Sequence, residues 1–171
     1  MVAFPALQMD DPEVFNSGFS LCFVNVLAMT IMVESTETMV NKARLDWAED
    51  GVDSLNFPTR GSGMRRHTMG VVTFRYGVTT EVALHKIREN GWKLARAEHL
   101  LGFARRYPNA QREHDVVAMG ATCINRSDED GEDVLMLTGS PNDRGLVRHW
   151  LDGVWYADQH RFLVYREVDR G

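Results

Sequence analysis

The apolar pattern of this chain changes its period at Pro108. Before it, Ala97, Leu100, Leu101, Ala104 and Tyr107 fall on one stripe of an α-helix, predicting a helix over 97–107. Pro108 stops that helix, because its ring cannot continue the hydrogen-bond ladder. Beyond it the pattern is purely β. Residues 116–123 (VVAMGATC) and 161–168 (RFLVYREV) each hold a continuous apolar run, as expected of strands covered on both faces. Residues 134–138 and 146–151 read as shorter strands. The joins carry turn chemistry at Asp130-Gly131, Ser140-Pro141-Asn142-Asp143 and Asp152-Gly153. The C-terminal third is therefore expected to be a meander of four or five strands.

The N-terminal part alternates strand and helix. Pro5 and Pro12 make residues 1–17 irregular. The run 19–33 (FSLCFVNVLAMTIMV) reads as one or two buried strands. It is too short for a membrane helix, which needs roughly 20 apolar residues. Asp10, Asp11 and Glu13 precede it, the wrong sign for a signal peptide. Ser35 and Thr36 then suit a helix start over about 37–45, with Met39, Val40 and Ala43 inward. Residues 48–70 read as a loop, punctuated by Gly51, Pro58, Gly61, Gly63 and Gly70 and charged by Arg60, Arg65 and Arg66. The pattern recurs with a strand at 71–76 and a helix capped by Thr79 or Thr80. That helix runs to Asn90 and ends at Gly91 in the left-handed position. Each unit reads strand, Ser/Thr-Thr-Glu, helix, Trp.

The 171 residues, 44% of them hydrophobic and 25% charged, suffice for one domain with a real core. The expected fold class is α+β. Its division is an N-terminal strand-helix lobe and loop at 1–70, and a core at 71–171 in which a third helix packs on a mainly antiparallel sheet. The net charge is −5, which disfavours generic polyanion binding. Residues 85–112 depart from it, with seven basic groups (Lys86, Arg88, Lys93, Arg96, Arg105, Arg106, Arg112) against Glu89 and Glu98. A nucleic-acid role for this segment is the lesser expectation, since long basic side chains also form the solvated faces of amphipathic helices. Two cysteines, Cys22 and Cys123, exclude a disulfide framework and fit buried thiols in a cytoplasmic protein.

No motif for a nucleotide loop, a nucleophile elbow or a zinc helix occurs. The six histidines, His67, His85, His99, His114, His149 and His160, show no metal-ligand spacing. No cofactor is expected. The acidic stretch Asp128-Glu129-Asp130-Gly131-Glu132-Asp133 lacks a complete calcium loop and reads as a solvated turn. The densest cluster of binding groups is at 149–160. There Trp150, Asp152, Trp155, Tyr156, Asp158 and His160 gather around a tight turn. Amphipathic rings at a hairpin tip offer a large rigid area at low entropy cost.

Three stretches resemble a family of small uncharacterised bacterial proteins from candidate-phylum genomes. They are LDWAEDGVDSLNFP (45–58), TTEVALHKIRENGWKLARAEHLLGFARRYPNAQREHDVVAMGA (79–121) and RGLVRHWLDGVWYADQHRFLVYR (144–166). This resemblance implies no activity. More loosely, the layout resembles the C-type-lectin-like fold of formylglycine-generating-enzyme-like domains and of the variable proteins of diversity-generating retroelements. The counterparts are the helix opening Lys93-Leu94-Ala95-Arg96-Ala97-Glu98-His99-Leu100, and the closing Trp150…Trp155…Arg161-Phe162-Leu163-Val164-Tyr165-Arg166. Ala95 and Ala97 stand where that pattern has Pro and a capping Thr. Its catalytic cysteine pair has no counterpart here, so the sulfatase-modifying activity is not implied. The retroelement likeness places ligand contacts at Trp150, Asp152, Trp155, Tyr156, Asp158 and His160.

The expectation is thus a non-enzymatic recognition domain that offers its C-terminal hairpin to an unidentified protein or small molecule. The alternatives are an enzyme assembled from His149, Asp152, Asp158 and His160, and a nucleic-acid-associated protein using 85–112.

Overall fold

A computed structural model of the chain describes residues 10–14, 22–123 and 131–168. In chain order the elements are β1 (Asp10–Val14), β2 (Cys22–Val33), α1 (Thr36–Ala43), β3 (Trp47–Ala48), β4 (Gly63–Phe74), β5 (Val78–Thr79), α2 (Thr80–Glu89), β6 (Lys93–Leu94), α3 (Ala97–Arg106), α4 (Ala110–Glu113), β7 (Asp115–Thr122), β8 (Asp133–Ser140), β9 (Asp143–Trp150), β10 (Val154–Trp155) and β11 (His160–Glu167). Eight strands lie side by side in the order β1-β2-β4-β11-β7-β8-β9-β3, and β6 also pairs with β11. β5 and β10 form a separate two-stranded piece. The pairs β11–β7 and β3–β9 are parallel and the rest antiparallel, so the α+β fold is built on a mixed sheet.

Alternation along the strands sorts the core into two layers. Leu27, Met29, Ile31, Met69, Val71, Val116, Leu135, Leu137, Leu163 and Tyr165 face α1 and α3. Val24, Val72, Val117, Met119, Val134, Met136, Phe162 and Val164 face α2, Trp92 and Trp155. Covering both faces explains the continuous apolar runs of β7 and β11. β2 and α1 share the first layer with β7, β8 and β11, so the described part of 1–70 is continuous with the core of 71–171. No helix among the described residues is long and apolar enough to cross a membrane.

The two helix starts follow one plan. Ser35 Oγ accepts the Thr38 N–H at 3.3 Å, and Thr79 Oγ1 accepts the Val82 N–H at 3.3 Å. The next residue is in each case a buried threonine whose hydroxyl donates to a distant carbonyl: Thr36 to Phe57, Thr80 to Leu151. Gly91 ends α2 at φ +76°. The likeness stops at the tryptophans, since Trp92 is core and Trp47 is exposed.

Three expectations are corrected. Residues 63–70 are strand, not loop: β4 starts at Gly63, and its first residues pair with β2 as an exposed ribbon without apolar alternation. The segment between β9 and β11 is not a hairpin. These two strands run in the same direction with β7 and β8 between them, so the chain must cross over the sheet face. The basic segment 85–112 is also divided, because α2 packs on one face of the sheet and α3 on the other. Its helices do not form one stripe.

Candidate cation-lined cleft

The crossover places the expected ligand-binding residues in two different environments. Trp150 (52% exposed) and Tyr156 (57%) are open to solvent, as are Asp152 and Asp158. Trp155 (2% exposed) and His160 (5%) are buried, which corrects the expectation that they are displayed. Trp155 lies edge-on to Phe162, with ring centroids 5.5 Å apart, and its Nε1 donates to Thr80 Oγ1 at 2.9 Å. His160 Nδ1 accepts the Tyr156 N–H at 3.0 Å, which fastens the turn. Its Nε2 is 3.9 Å from Asp115 Oδ2. Burial pushes the His160 pKa down, against the upward pull of Asp115. The His149 and His160 rings do approach, at 6.1 Å, but as part of this packed cluster. The acidic stretch falls at 128–130 outside the described residues, and Asp133 binds Arg148 at 2.6 Å. Among the described residues, no group of His, Cys, Asp or Glu side chains is arranged to hold a metal ion.

A more charged concavity lies elsewhere, where β4 projects past the end of β11. It has a volume of about 710 Å³. Arg60, Arg65, Arg66 and Arg96 line it with His67, Glu98 and Glu167, and Val33, Met64 and Val168 supply apolar wall. Four elements bring these side chains together. The end of β2 carries Val33, the entry into β4 carries Arg60 and Met64 to His67, the start of α3 carries Arg96 and Glu98, and the end of β11 leads to Glu167 and Val168.

Arg96 is held in place. Its Nε donates to the buried Glu98 carboxylate at 2.7 Å, and its Nη1 donates to Tyr165 Oη at 2.6 Å. The Glu98 carboxylate also accepts the Arg60 backbone N–H at 3.4 Å. Arg60, Arg65 and Arg66 are exposed, and none forms an ion pair among the described residues. Glu167 is drawn instead to Lys93 at 3.1 Å, which holds its carboxyl below the usual range. The cleft therefore has a cationic surplus in a molecule whose net charge is −5.

Behind the arginines sits a small aromatic cluster. His99 stacks on Tyr165 with centroids 4.0 Å apart, and His67 meets both edge-on at 4.8 and 5.3 Å. His99 Nδ1 accepts the Arg96 N–H at 2.9 Å, so its proton resides on Nε2. This bond serves the helix start that lacks a capping hydroxyl. Burial drives the His99 pKa down to about 3. His67 is 9% exposed, and its Nδ1 has no partner among the described residues. Burial, then the charge of Arg96, lowers its pKa, with Arg65 adding to the effect and Glu167 and Glu98 opposing it.

The sequence did contain the signal for this site in Arg60, Arg65, Arg66 and His67, but as charge in an assumed loop. No family model, curated protein or solved structure matches the chain.

Proposed function

We propose that this protein is a non-enzymatic recognition domain whose arginine-lined cleft binds an anionic ligand. The observation that carries this reading is the set of guanidinium groups of Arg60, Arg65 and Arg66, unpaired among the described residues, beside the braced Arg96. Guanidinium is weakly hydrated and presents a planar fork that matches carboxylate and phosphate oxygens. Bracing one of the four before binding reduces the entropy lost on binding. The apolar wall of Val33, Met64 and Val168 suits a ligand that is more than a bare ion.

The test is calorimetry and thermal unfolding at low salt with pyrophosphate, citrate and hexaglutamate as probes. At least one should bind and raise the melting temperature, as any ligand specific to the folded state does. The gain should vanish in the double variant Arg65→Ser, Arg66→Ser, whose side chains are exposed and whose fold should be unaffected. Absence of binding by all three probes would sink the reading.

A second surface has its own observation. Trp150 at the end of β9, and Val154 and Tyr156 in the crossover that follows, are large and exposed. This favours contact with an apolar or aromatic partner at the place where the retroelement likeness puts ligand contacts. The C-type-lectin-like kinship is part of this second reading only. It rests on the α3 opening and on β11, and the anion-binding reading does not need it.

A further inference from the structure

By strand alternation Arg65 and His67 lie on the face of Met69 and Val71, and Glu167 on that of Tyr165, so with Val33 they point to the side that α3 covers. His67 is the histidine of this wall. Neither of its ring nitrogens has a hydrogen-bond partner among the described residues. Nδ1 is sealed from solvent, whereas the cleft reaches the ring elsewhere. The charged groups that act on it come from three elements: Arg65 on its own strand, Arg96 and Glu98 at the start of α3, and Glu167 on β11. His99 and Tyr165 meet its ring, and β2 offers the apolar Met29 opposite it. Both acids are already engaged, Glu98 with Arg96 at 2.7 Å and Glu167 with Lys93 of β6 at 3.1 Å. The cations therefore prevail. Burial first, and the charge of Arg96 second, lower the His67 pKa and keep the ring neutral.

We propose that the cleft takes up its oxyanion together with a proton, which His67 accepts, so that His67 is a ligand-contacting residue and binding tightens as pH falls. This rests on the anion-binding reading and deepens it. An anion seated among Arg60, Arg65 and Arg96 offsets the positive charge that disfavours an imidazolium, and its own charge favours one. The ring N–H that meets the cleft then donates a charge-assisted hydrogen bond to the ligand. The proton comes from solvent, and no bond within the ligand changes. His99, the neighbouring histidine, cannot serve in this way. Its Nδ1 accepts the Arg96 N–H at 2.9 Å, and a second proton would break that bond.

The experiment is calorimetry on the full chain with sulfate and hexaglutamate, from about pH 8 to about pH 6 at constant ionic strength. Both probes stay ionised over this range, since a glutamate carboxyl titrates near about 4.3. Titration in two buffers of different ionisation heat counts the protons taken up. Binding should draw in up to about one proton, and affinity should rise at least about threefold across the range, within the roughly tenfold per pH unit that one proton allows. His67→Gln should abolish both the proton uptake and the pH dependence. A substitution that merely loosened the wall would weaken binding at every pH and keep the slope. Should His67→Gln fail to fold, the His67 ring signal in the parent's NMR spectrum gives the same answer, because saturating sulfate should move its titration to higher pH. Binding at constant affinity without proton uptake overturns this inference and leaves anion binding standing. Failure of both probes at every pH overturns both. A slope that persists in His67→Gln, or a ring signal that sulfate leaves in place, also overturns the inference, because the proton then goes elsewhere.

Discussion

Trp92 lies across Gly70. A Cβ at Gly70 would stand 3.1 Å from Trp92 Cη2, 2.7 Å from Val24 Cγ1 and 2.9 Å from Val164 Cγ2. All three neighbours are fully packed in the second apolar layer, so none has room to yield. Gly70→Ala should therefore destabilise the fold by about 1–3 kcal/mol. Gly145 offers the contrast. Its absent Cβ is filled by the ring of Trp47, which is exposed and able to swing aside. Gly145→Ala should cost less than about 1 kcal/mol, and less again in a Trp47→Ala background. Urea unfolding of the single and double variants measures both.

The buried and exposed aromatics of the crossover should separate in the same assay. Trp155→Ala removes a ring packed on Phe162 and leaves Thr80 Oγ1 without its donor. The expected loss is about 3–5 kcal/mol. Trp150→Ala and Tyr156→Ala should each stay within about 0.5 kcal/mol of the parent, as exposed positions generally do. Equal losses at all three sites would show that the crossover packs as one body.

These residues show what the sequence could reveal. The continuous runs of β7 and β11 announced strands covered twice, and the stripe from Ala97 announced α3, because burial leaves a period in the chain. The first residues of β4 left none, since that ribbon is exposed on both faces and its glycines and arginines imitate a loop. Asp152-Gly153 marked a turn correctly. Turn chemistry is local, however, and does not say which strand comes next, so a crossover was read as a hairpin. The cleft was hidden for the same reason. Arg65 and Arg96 are neighbours only through sheet register and the placing of α3, which no local pattern records.

Acid should weaken the fold through its buried histidines. His99 titrates at about 3 in the folded protein against an ordinary value of 6.5. Burial lowers His67, His114 and His160 as well. Below pH 6.5 the unfolded chain takes up protons that the folded chain refuses. Stability is thus complete above pH 6.5 and lost as pH falls below it, for His99 down to about pH 3 at up to about 1.4 kcal/mol per pH unit. His99→Asn retains an acceptor for the Arg96 N–H and does not titrate. Its stability measured in urea should be lower overall but should fall less steeply between pH 6.5 and pH 4.5. An unchanged slope would mean that His99 is charged in the fold.

Cys22 should be silent to thiol reagents. Burial pushes its pKa up to about 12, with Lys86 opposing only in part. The thiolate is the reactive form, so modification at pH 8 must wait for opening of the fold. In a Cys123→Ser variant the labelling rate should rise with urea along the unfolding curve. Fast labelling in native buffer would place Cys22 in a mobile part of β2.

Arg144 joins two helix ends. Its Nη1 donates to the carbonyls of Ala43 and Arg44 at 3.1 Å, and its Nη2 donates to that of Ala104 at 2.8 Å. The charge thus sits at the C-terminal end of α1 and within the last turn of α3, where backbone carbonyls lack helical partners and the helix dipole is negative. A lysine carries the same charge on a single nitrogen and cannot span both helices. Arg144→Lys should cost about 2–3 kcal/mol through carbonyls left unpaired in a buried place. Amide exchange should quicken first in the last turns of α1 and α3, ahead of β7 and β8. If exchange rises evenly across the sheet instead, the guanidinium acts as general packing and not as the clasp between the two helices.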